Sequence, residues 1–235
     1  TTTRAPHSDN SIAVAFPIPD EAPVTRYVMP YKASAFMIFI CPITWNLVAR
    51  FEFHTKYFSK LAGDNRLAAD IFAHILIEMG IFRNFMYHRV VKNQPQFDIG
   101  YDELITVISY IMLAVGLILV FGAYYRLGIH GIYYADYFGI LMKEKVSAFP
   151  YNVTDNPMYG GSTLIFLSGA LYHRAYSGFG LSVLAFLMYI VASILENPMT
   201  ELIYSEENIK AVQKMNEERE KMIQENKSKK KQKNH

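Results

Sequence analysis

Leu104 to Tyr125 is a run of twenty-two residues without a charged side chain. As an α-helix it would extend ~33 Å, enough to cross a hydrocarbon core of ~30 Å. No soluble domain of ordinary composition places such a run in the middle of its chain, so the chain is expected to fold in a membrane. Composition agrees once position is considered. Charged residues are 19% of the 235, and nine Lys/Arg and six Glu of these lie beyond Tyr204. The net charge of +2 is too small for a nucleic-acid partner. A single cysteine, Cys41, excludes an internal disulfide and any multi-cysteine metal site.

Other apolar segments surround this span. Ala33–Ala49 is uncharged for seventeen residues but holds Pro42 and Asn46, so it is read as either a crossing or a re-entrant helix. Leu67–Tyr87 is interrupted by Asp70, His74, Glu78 and Arg83. The first three share one helical face and are expected as a polar stripe turned toward the bundle. Asn156–Tyr172 and Ala175–Leu195 are both uncharged and separated only by His173 and Arg174. Gly178-Phe179-Gly180 reads as a tight turn after Arg174. The expected fold is an all-α integral membrane bundle of three to five membrane segments with a cytoplasmic C-terminal helix.

Three regions follow from these patterns. Residues 1–31, with five of the ten prolines, form an irregular arm; 32–204 form the membrane domain; 205–235 form an amphipathic helix and a lysine-rich tail. Ser205 is placed to cap that helix, with Glu206 and Glu207 in its first turn. The closing KSKKKQKNH should stay cytoplasmic, and Lys231 and Lys233 ahead of His235 resemble an endoplasmic-reticulum retrieval signal.

Two polar clusters stand out against the apolar background. FPYNVTDNPMYGGST, from Phe149 to Thr163, is a proline-broken entry into an apolar helix. Pro157 suits the first helical turn, and Asp155 or Asn156 suits the cap. Its glycines also allow backbone to approach a ligand at a helix N-terminus. LENPMTELIY, from Leu195 to Tyr204, puts Glu196 where the last apolar run ends. That position suits a boundary residue, or a carboxylate accepting hydrogen bonds from a ribose or an amino group.

ADYFGILMKEKVSAFPYNVTDNPMYGGST followed by LENPMTELIY resembles the class II phospholipid N-methyltransferases. CPITWNLVARFEFHTK extends the likeness upstream through Trp45, Asn46, Arg50 and Glu52, so that it covers about Pro42 to Tyr204. The fungal members look nearest in LGIHGIYYADYFGILM. The resemblance implies S-adenosyl-L-methionine as methyl donor, S-adenosyl-L-homocysteine as product, membrane phospholipids as acceptors, and no metal. It implies a cofactor G-x-G at Ala114, Val115 and Gly116, where only the second glycine is present. It implies a Glu-Glu pair at Glu196 and Asn197, where the second carboxylate is absent. A likeness to isoprenylcysteine methyltransferases at the NPMYGG entry adds Asn156, Tyr159, Gly160 and Gly161 as cofactor contacts.

The chemistry then asks for a proton acceptor, because an alkyl ammonium with pKa ~10 has no free lone pair. Asp136, Asp155 and Glu196 are the candidates. Arg50 and Arg83 are candidates for the lipid phosphate. Tyr137 and Tyr159 are candidates to cradle the methylated ammonium, with Tyr133 and Tyr134 assigned first to an interfacial aromatic belt. The expected activity is N-methylation of phosphatidylethanolamine derivatives toward phosphatidylcholine in the endoplasmic reticulum. The rivals are a methyltransferase for another lipid-like acceptor and a non-enzymatic membrane protein or transporter built around the Asp70/His74/Glu78 stripe.

Overall fold

The computed structural model describes residues 21–94, 96–97, 100–142 and 146–233. Most of the proline-rich arm, Lys143-Glu144-Lys145 and the final two residues lie outside them. The elements are α1 (Glu21–Thr55), α2 (Tyr57–Ala62), α3 (Asn65–Asn93), α4 (Asp102–Ile132), α5 (Pro157–Tyr172), α6 (Tyr176–Ile203) and α7 (Glu206–Lys233), with a 3-10 turn at Ala135–Phe138. Among the described residues no strand forms; a lone bridge joins Gln96 to Ala175.

Among the described residues, three helices are long and apolar enough to cross a membrane: Val28–Thr55, the segment Asp102–Phe138, and Tyr176–Ile203. The fold is therefore an all-α integral membrane bundle. The first segment was open between a crossing and a re-entrant helix, and it runs as one continuous helix through Pro30 and Pro42. Membrane helices tolerate such prolines because neighbouring side chains re-satisfy the backbone. The carbonyl that Pro42 frees is that of Ile38, one turn earlier; the side-chain amide of Asn46 adds a bond to the Pro42 carbonyl at 3.1 Å. Helix α1 already begins at Glu21, so residues 21–31, expected to be irregular, are helical.

The helices run alternately up and down. Ala170 lies against Gly178 while Tyr159 stacks on Tyr189, which makes α5 antiparallel to α6. Met199 and Ile203 pack with Ala68 and Phe72, whereas Leu181 packs with Val90 and Val91, which makes α3 antiparallel to α6. As a result the C-terminal ends of α1, α4 and α6 meet the N-terminal ends of α3 and α5 at one end of the bundle, where α7 begins.

Two glycines hold α4 and α5 together. A Cβ on Gly116 would stand 2.8 Å from the Gly161 carbonyl oxygen, and one on Gly161 would stand 2.7 Å from that of Gly116. Only glycine permits this backbone approach, the small-residue device of membrane helix packing. Gly178 plays the same part between Ala170 and Val91. It lies inside α6 rather than in a turn; the reversal comes one step earlier, at Arg174 with φ 47°. Gly128, at φ 64° and ψ −178°, breaks α4 near its end and redirects the chain toward the 3-10 turn.

The Asp70/His74/Glu78 stripe faces away from the bundle. His74 and Glu78 are exposed, and Asp70 meets the ring of His130 at 2.6 Å on the surface. The i, i+4, i+8 spacing places three residues on one face, but Ala69, Phe72, Ala73 and Leu76 occupy the face that packs. Among the described residues no group of three potential ligands is placed to hold a metal.

Candidate active site

Glu196 is the centre of the polar cluster at the α7 end. It lies seven residues before the end of α6, just ahead of Pro198, whose missing N–H loosens the local helical ladder. Three donors converge on its Oε1: the Tyr134 hydroxyl at 2.5 Å, the Tyr159 hydroxyl at 2.6 Å and the Asn46 amide at 3.1 Å. Each comes from a different element. Asn46 is carried by α1 and Tyr159 by the first turn of α5, while Tyr134 precedes the 3-10 turn with φ 61°. The indole of Trp45 stands beside the same carboxylate. A hydrogen bond to an ionised group contributes about 1.5–3 kcal/mol, so three of them hold this carboxylate in one rotamer against the cost of burying it. All three of these bonds fall on Oε1.

Around this carboxylate several buried polar atoms have no hydrogen-bond partner among the described residues: Trp45 Nε1, Asn46 Oδ1, Arg50 Nε and the Tyr137 hydroxyl. Buried polar atoms are normally paired, so four unpaired ones in one neighbourhood make this the candidate site for a polar ligand. Arg50 Nη2 donates to the Leu195 carbonyl, which fixes the guanidinium next to Glu196. Lys56, at φ 54°, donates from Nζ to the Tyr137 carbonyl at 2.9 Å. Burial pushes its pKa below the ordinary lysine value, partly opposed by Glu52. Glu52 is fully buried and accepts from the amides of Phe58 and Ser59 and from the Ser59 hydroxyl, so it caps α2.

Asp136 is half-buried, accepts from the Tyr137 amide at 3.1 Å, and is close enough to Glu196 for their charges to interact. Tyr204, just past α6, donates nothing to it but feels it. Burial and then the charge of Asp136 raise the Tyr204 hydroxyl above its ordinary pKa. Asp155 is exposed on the connection into α5. Tyr159 stacks on Tyr189 with ring centroids 4.8 Å apart, and the guanidinium of Arg83 lies 5.8 Å from the Tyr189 centroid and 5.2 Å from that of Phe166.

The structure thus gathers Glu196, Tyr159, Tyr137, Arg50 and Asp136, with Arg83 one layer deeper. Other expected positions fall elsewhere. Ala114 and Val115 are exposed on the outer face of α4, and Gly116 and Gly161 are occupied with each other. Gly160 has open space in front of it. Asn156 stands at the start of α5 without a side-chain cap bond. Asn197 is exposed, since one helical step turns it about 100° from Glu196. Tyr134, first assigned to the aromatic belt, joins the Glu196 cluster, its left-handed backbone at φ 61° turning the hydroxyl onto that carboxylate. Tyr133 pairs with Tyr124 through their hydroxyls instead. Asn46, Trp45, Lys56 and Tyr189 were not anticipated as site residues. Trp45 and Asn46 were visible in the family-like CPITWNLVARFEFHTK segment, and Asn46 also as a polar residue inside an apolar run; Tyr189 lies mid-run with no such signal.

The family described as Phospholipid methyltransferase matches residues 104–207. Among curated relatives, Phosphatidylethanolamine N-methyltransferase A of Dictyostelium discoideum is 41% identical over 165 residues, covering 70% of this chain and 77% of its own. Phosphatidyl-N-methylethanolamine N-methyltransferase of Schizosaccharomyces pombe is 40% identical over 185 residues, covering 78% and 94%. The human Phosphatidylethanolamine N-methyltransferase is 34% identical over 174 residues, covering 74% and 87%. No solved structure matches. Likeness of this depth, across most of each relative, makes this chain an enzyme of the phospholipid methyltransferase family.

Proposed function

We propose that the protein methylates the amine of phosphatidylethanolamine-derived lipids, the mono- and dimethyl forms foremost, toward phosphatidylcholine, from the cytoplasmic face of the endoplasmic-reticulum membrane. The observation that carries this is a carboxylate, Glu196, held by three donors at the membrane end of an apolar bundle and ringed by unpaired polar atoms. The orphaned set contains donors and an acceptor, which fits a ligand bearing ribose hydroxyls, an amino group and a carboxylate. S-adenosyl-L-methionine, when bound, supplies a methyl group on a sulfonium. Glu196 Oε2 would accept from its hydroxyl or amino groups, with Asn46 and Trp45 beside it, and Gly160 leaves space for close approach.

The remaining work belongs to this chain. The acceptor ammonium must lose a proton before its nitrogen can attack, and burial favours the neutral amine. Asp136 is better placed than Asp155 to take that proton, on Oδ2, because it faces the cluster while Asp155 faces outward. The rings of Tyr159, Tyr137 and Tyr189 offer π faces to a growing methylammonium. Arg50 and Arg83 supply the cations for a lipid phosphate. The domain limits of 32–204 for this machinery and 205–235 for the cytoplasmic tail belong to the same proposal.

The test is methyl transfer by the purified protein in lipid–detergent micelles with labelled S-adenosyl-L-methionine. Phosphatidylethanolamine, its monomethyl and dimethyl forms, and phosphatidylcholine are offered separately. Label is expected in the monomethyl and dimethyl lipids and absent with phosphatidylcholine, whose nitrogen has no lone pair. Cofactor binding without label in any ethanolamine lipid would overturn the acceptor assignment.

A further inference from the structure

Arg83 is the most anomalous residue in the bundle outside the Glu196 cluster. It lies well inside α3, and its exposure is only 8%. Its recorded hydrogen bonds are both to Asn84 Oδ1, from Nε at 3.4 Å and from Nη2 at 3.3 Å. No carboxylate among the described residues pairs with it. The faces of Phe166 and Tyr189 offset part of the burial. A cation buried this far without a carboxylate partner calls for an anion from outside the protein.

Arg83 also stands at the head of a cleft. The cleft is bounded by α3, α4 and α5, encloses about 390 Å³, and is lined by Tyr87, Ser109, Leu113, Phe166 and Tyr172 among others. That volume falls within the ~300–1,000 Å³ of small-ligand sites. It runs from Arg83 away from the α7 end, toward the paired rings of His88 and His173. Small side chains, Ser109, Ser162 and Gly169, keep it open where α3 separates from the closely packed α4 and α5. Helices α3 and α4 touch little, so the slot opens sideways into the bilayer, where Asn84 and Tyr110 are exposed.

We infer that this cleft seats the lipid substrate, with the phosphate on Arg83, one acyl chain along the cleft, and the headgroup amine toward Glu196. The inference rests on the methyltransferase reading above and names the lipid's own subsite. The path is continuous. Arg83 lies against Tyr189, Tyr189 stacks on Tyr159, and the Tyr159 hydroxyl bonds Glu196. The amine is only an ethylene unit beyond the phosphate, so holding the phosphate at Arg83 presents the nitrogen to the aromatic wall. Such a seat lies below the headgroup layer. Phosphate drawn there loses water, and an already dehydrated guanidinium is the partner that compensates. The ammonium loses water at the same time, which promotes its deprotonation.

The experiment uses the full chain in micelles with a photoactivatable phosphatidyl-N-methylethanolamine carrying its diazirine near the acyl terminus. The read-outs are cross-linked peptides, the KM for lipid, and binding of S-adenosyl-L-methionine. Cross-links are expected between residues 84 and 91 and between 165 and 173. Arg83→Gln should weaken labelling and raise the lipid KM by about tenfold or more, the loss of a charge-assisted bond, with cofactor binding retained. Leu113→Trp, which fills the cleft without touching Arg83, should do the same and covers the case in which Arg83→Gln fails to fold. A diacylglycerol bearing the same diazirine should label weakly. Cross-links confined to the outer helix faces, or labelling and KM indifferent to both variants, would overturn the inference. Labelling in the cleft that needs phosphate and Arg83, without any methyl transfer, would sustain the lipid seat and overturn the activity instead.

Discussion

Glu196→Gln separates the architecture of the site from its chemistry. Glutamine has the shape of glutamate, and its amide oxygen can keep the three donors from Tyr134, Tyr159 and Asn46. Those bonds fall from the charge-assisted range of about 1.5–3 kcal/mol to about 0.5–1.5 kcal/mol each. The same substitution removes the cost of burying an ionised carboxylate, so the two effects offset and the thermal midpoint should hold within a few degrees. At the ligand side there is no offset. An NH2 replaces Oε2, a donor now meets a donor, and about 2–3 kcal/mol is lost, roughly 30- to 150-fold in affinity. The assay pairs S-adenosyl-L-methionine binding with kcat/KM and a thermal melt in the same detergent. Asp70→Asn is the control, because its surface pair with His130 has side chains 38% and 42% exposed and contributes about 0–1 kcal/mol. A Glu196→Gln protein with kcat/KM within about threefold of wild type, or an Asp70→Asn protein equally disabled, would refute the reasoning.

The neighbouring glycines should behave oppositely: Gly161→Val drives a side chain into the Gly116 carbonyl and should cut the yield of folded protein, whereas Gly160→Ala enters open space and should fold normally. Glu52→Gln turns one of the two oxygens that cap α2 into a donor facing a donor, which should cost about 1–3 kcal/mol of stability, seen as a lower thermal midpoint, while leaving the KM for cofactor unchanged. Lys56 has a folded pKa below its unfolded value because it is buried. Between the two values the unfolded chain binds more protons, so stability rises with pH in the window just below the ordinary lysine pKa of about 10.4. Thermal melts from pH 8 to 10.5 should show that rise in the wild type and a flatter profile in Lys56→Met.

The spans were legible because lipid enforces a simple rule: long charge-free runs must be helical and buried in hydrocarbon. Leu104–Tyr125 and the run after Ala175 obey it without ambiguity. The end of an apolar run marked Glu196 as a boundary residue, and a binding role for it was implied by the family resemblance at LENPMTELIY. Orientation about each helix axis was not legible. Asp70, His74 and Glu78 share a face whatever they pack against, and only the neighbours decide whether that face turns in or out. Asn197 is adjacent in sequence to the central carboxylate and yet points away from it. Gly116 illustrates a further limit: a glycine needed for a close backbone approach reads the same whether a ligand or another helix makes that approach, and here it is α5. The Asn46–Glu196 bond spans 150 positions, a distance over which local pattern carries no information.

The gathering of Glu196, Tyr134, Tyr159 and Asp136 at a single end of the bundle has a mechanical consequence for the surrounding bilayer. Under the proposed reaction each turnover enlarges a headgroup and leaves its tails in the leaflet they came from. A vesicle holding the enzyme in one orientation would therefore expand one monolayer relative to the other, and its membrane would bend away from the unmodified side. Spontaneous curvature becomes a product of catalysis, and its relaxation would be set by the rate at which lipids flip between monolayers.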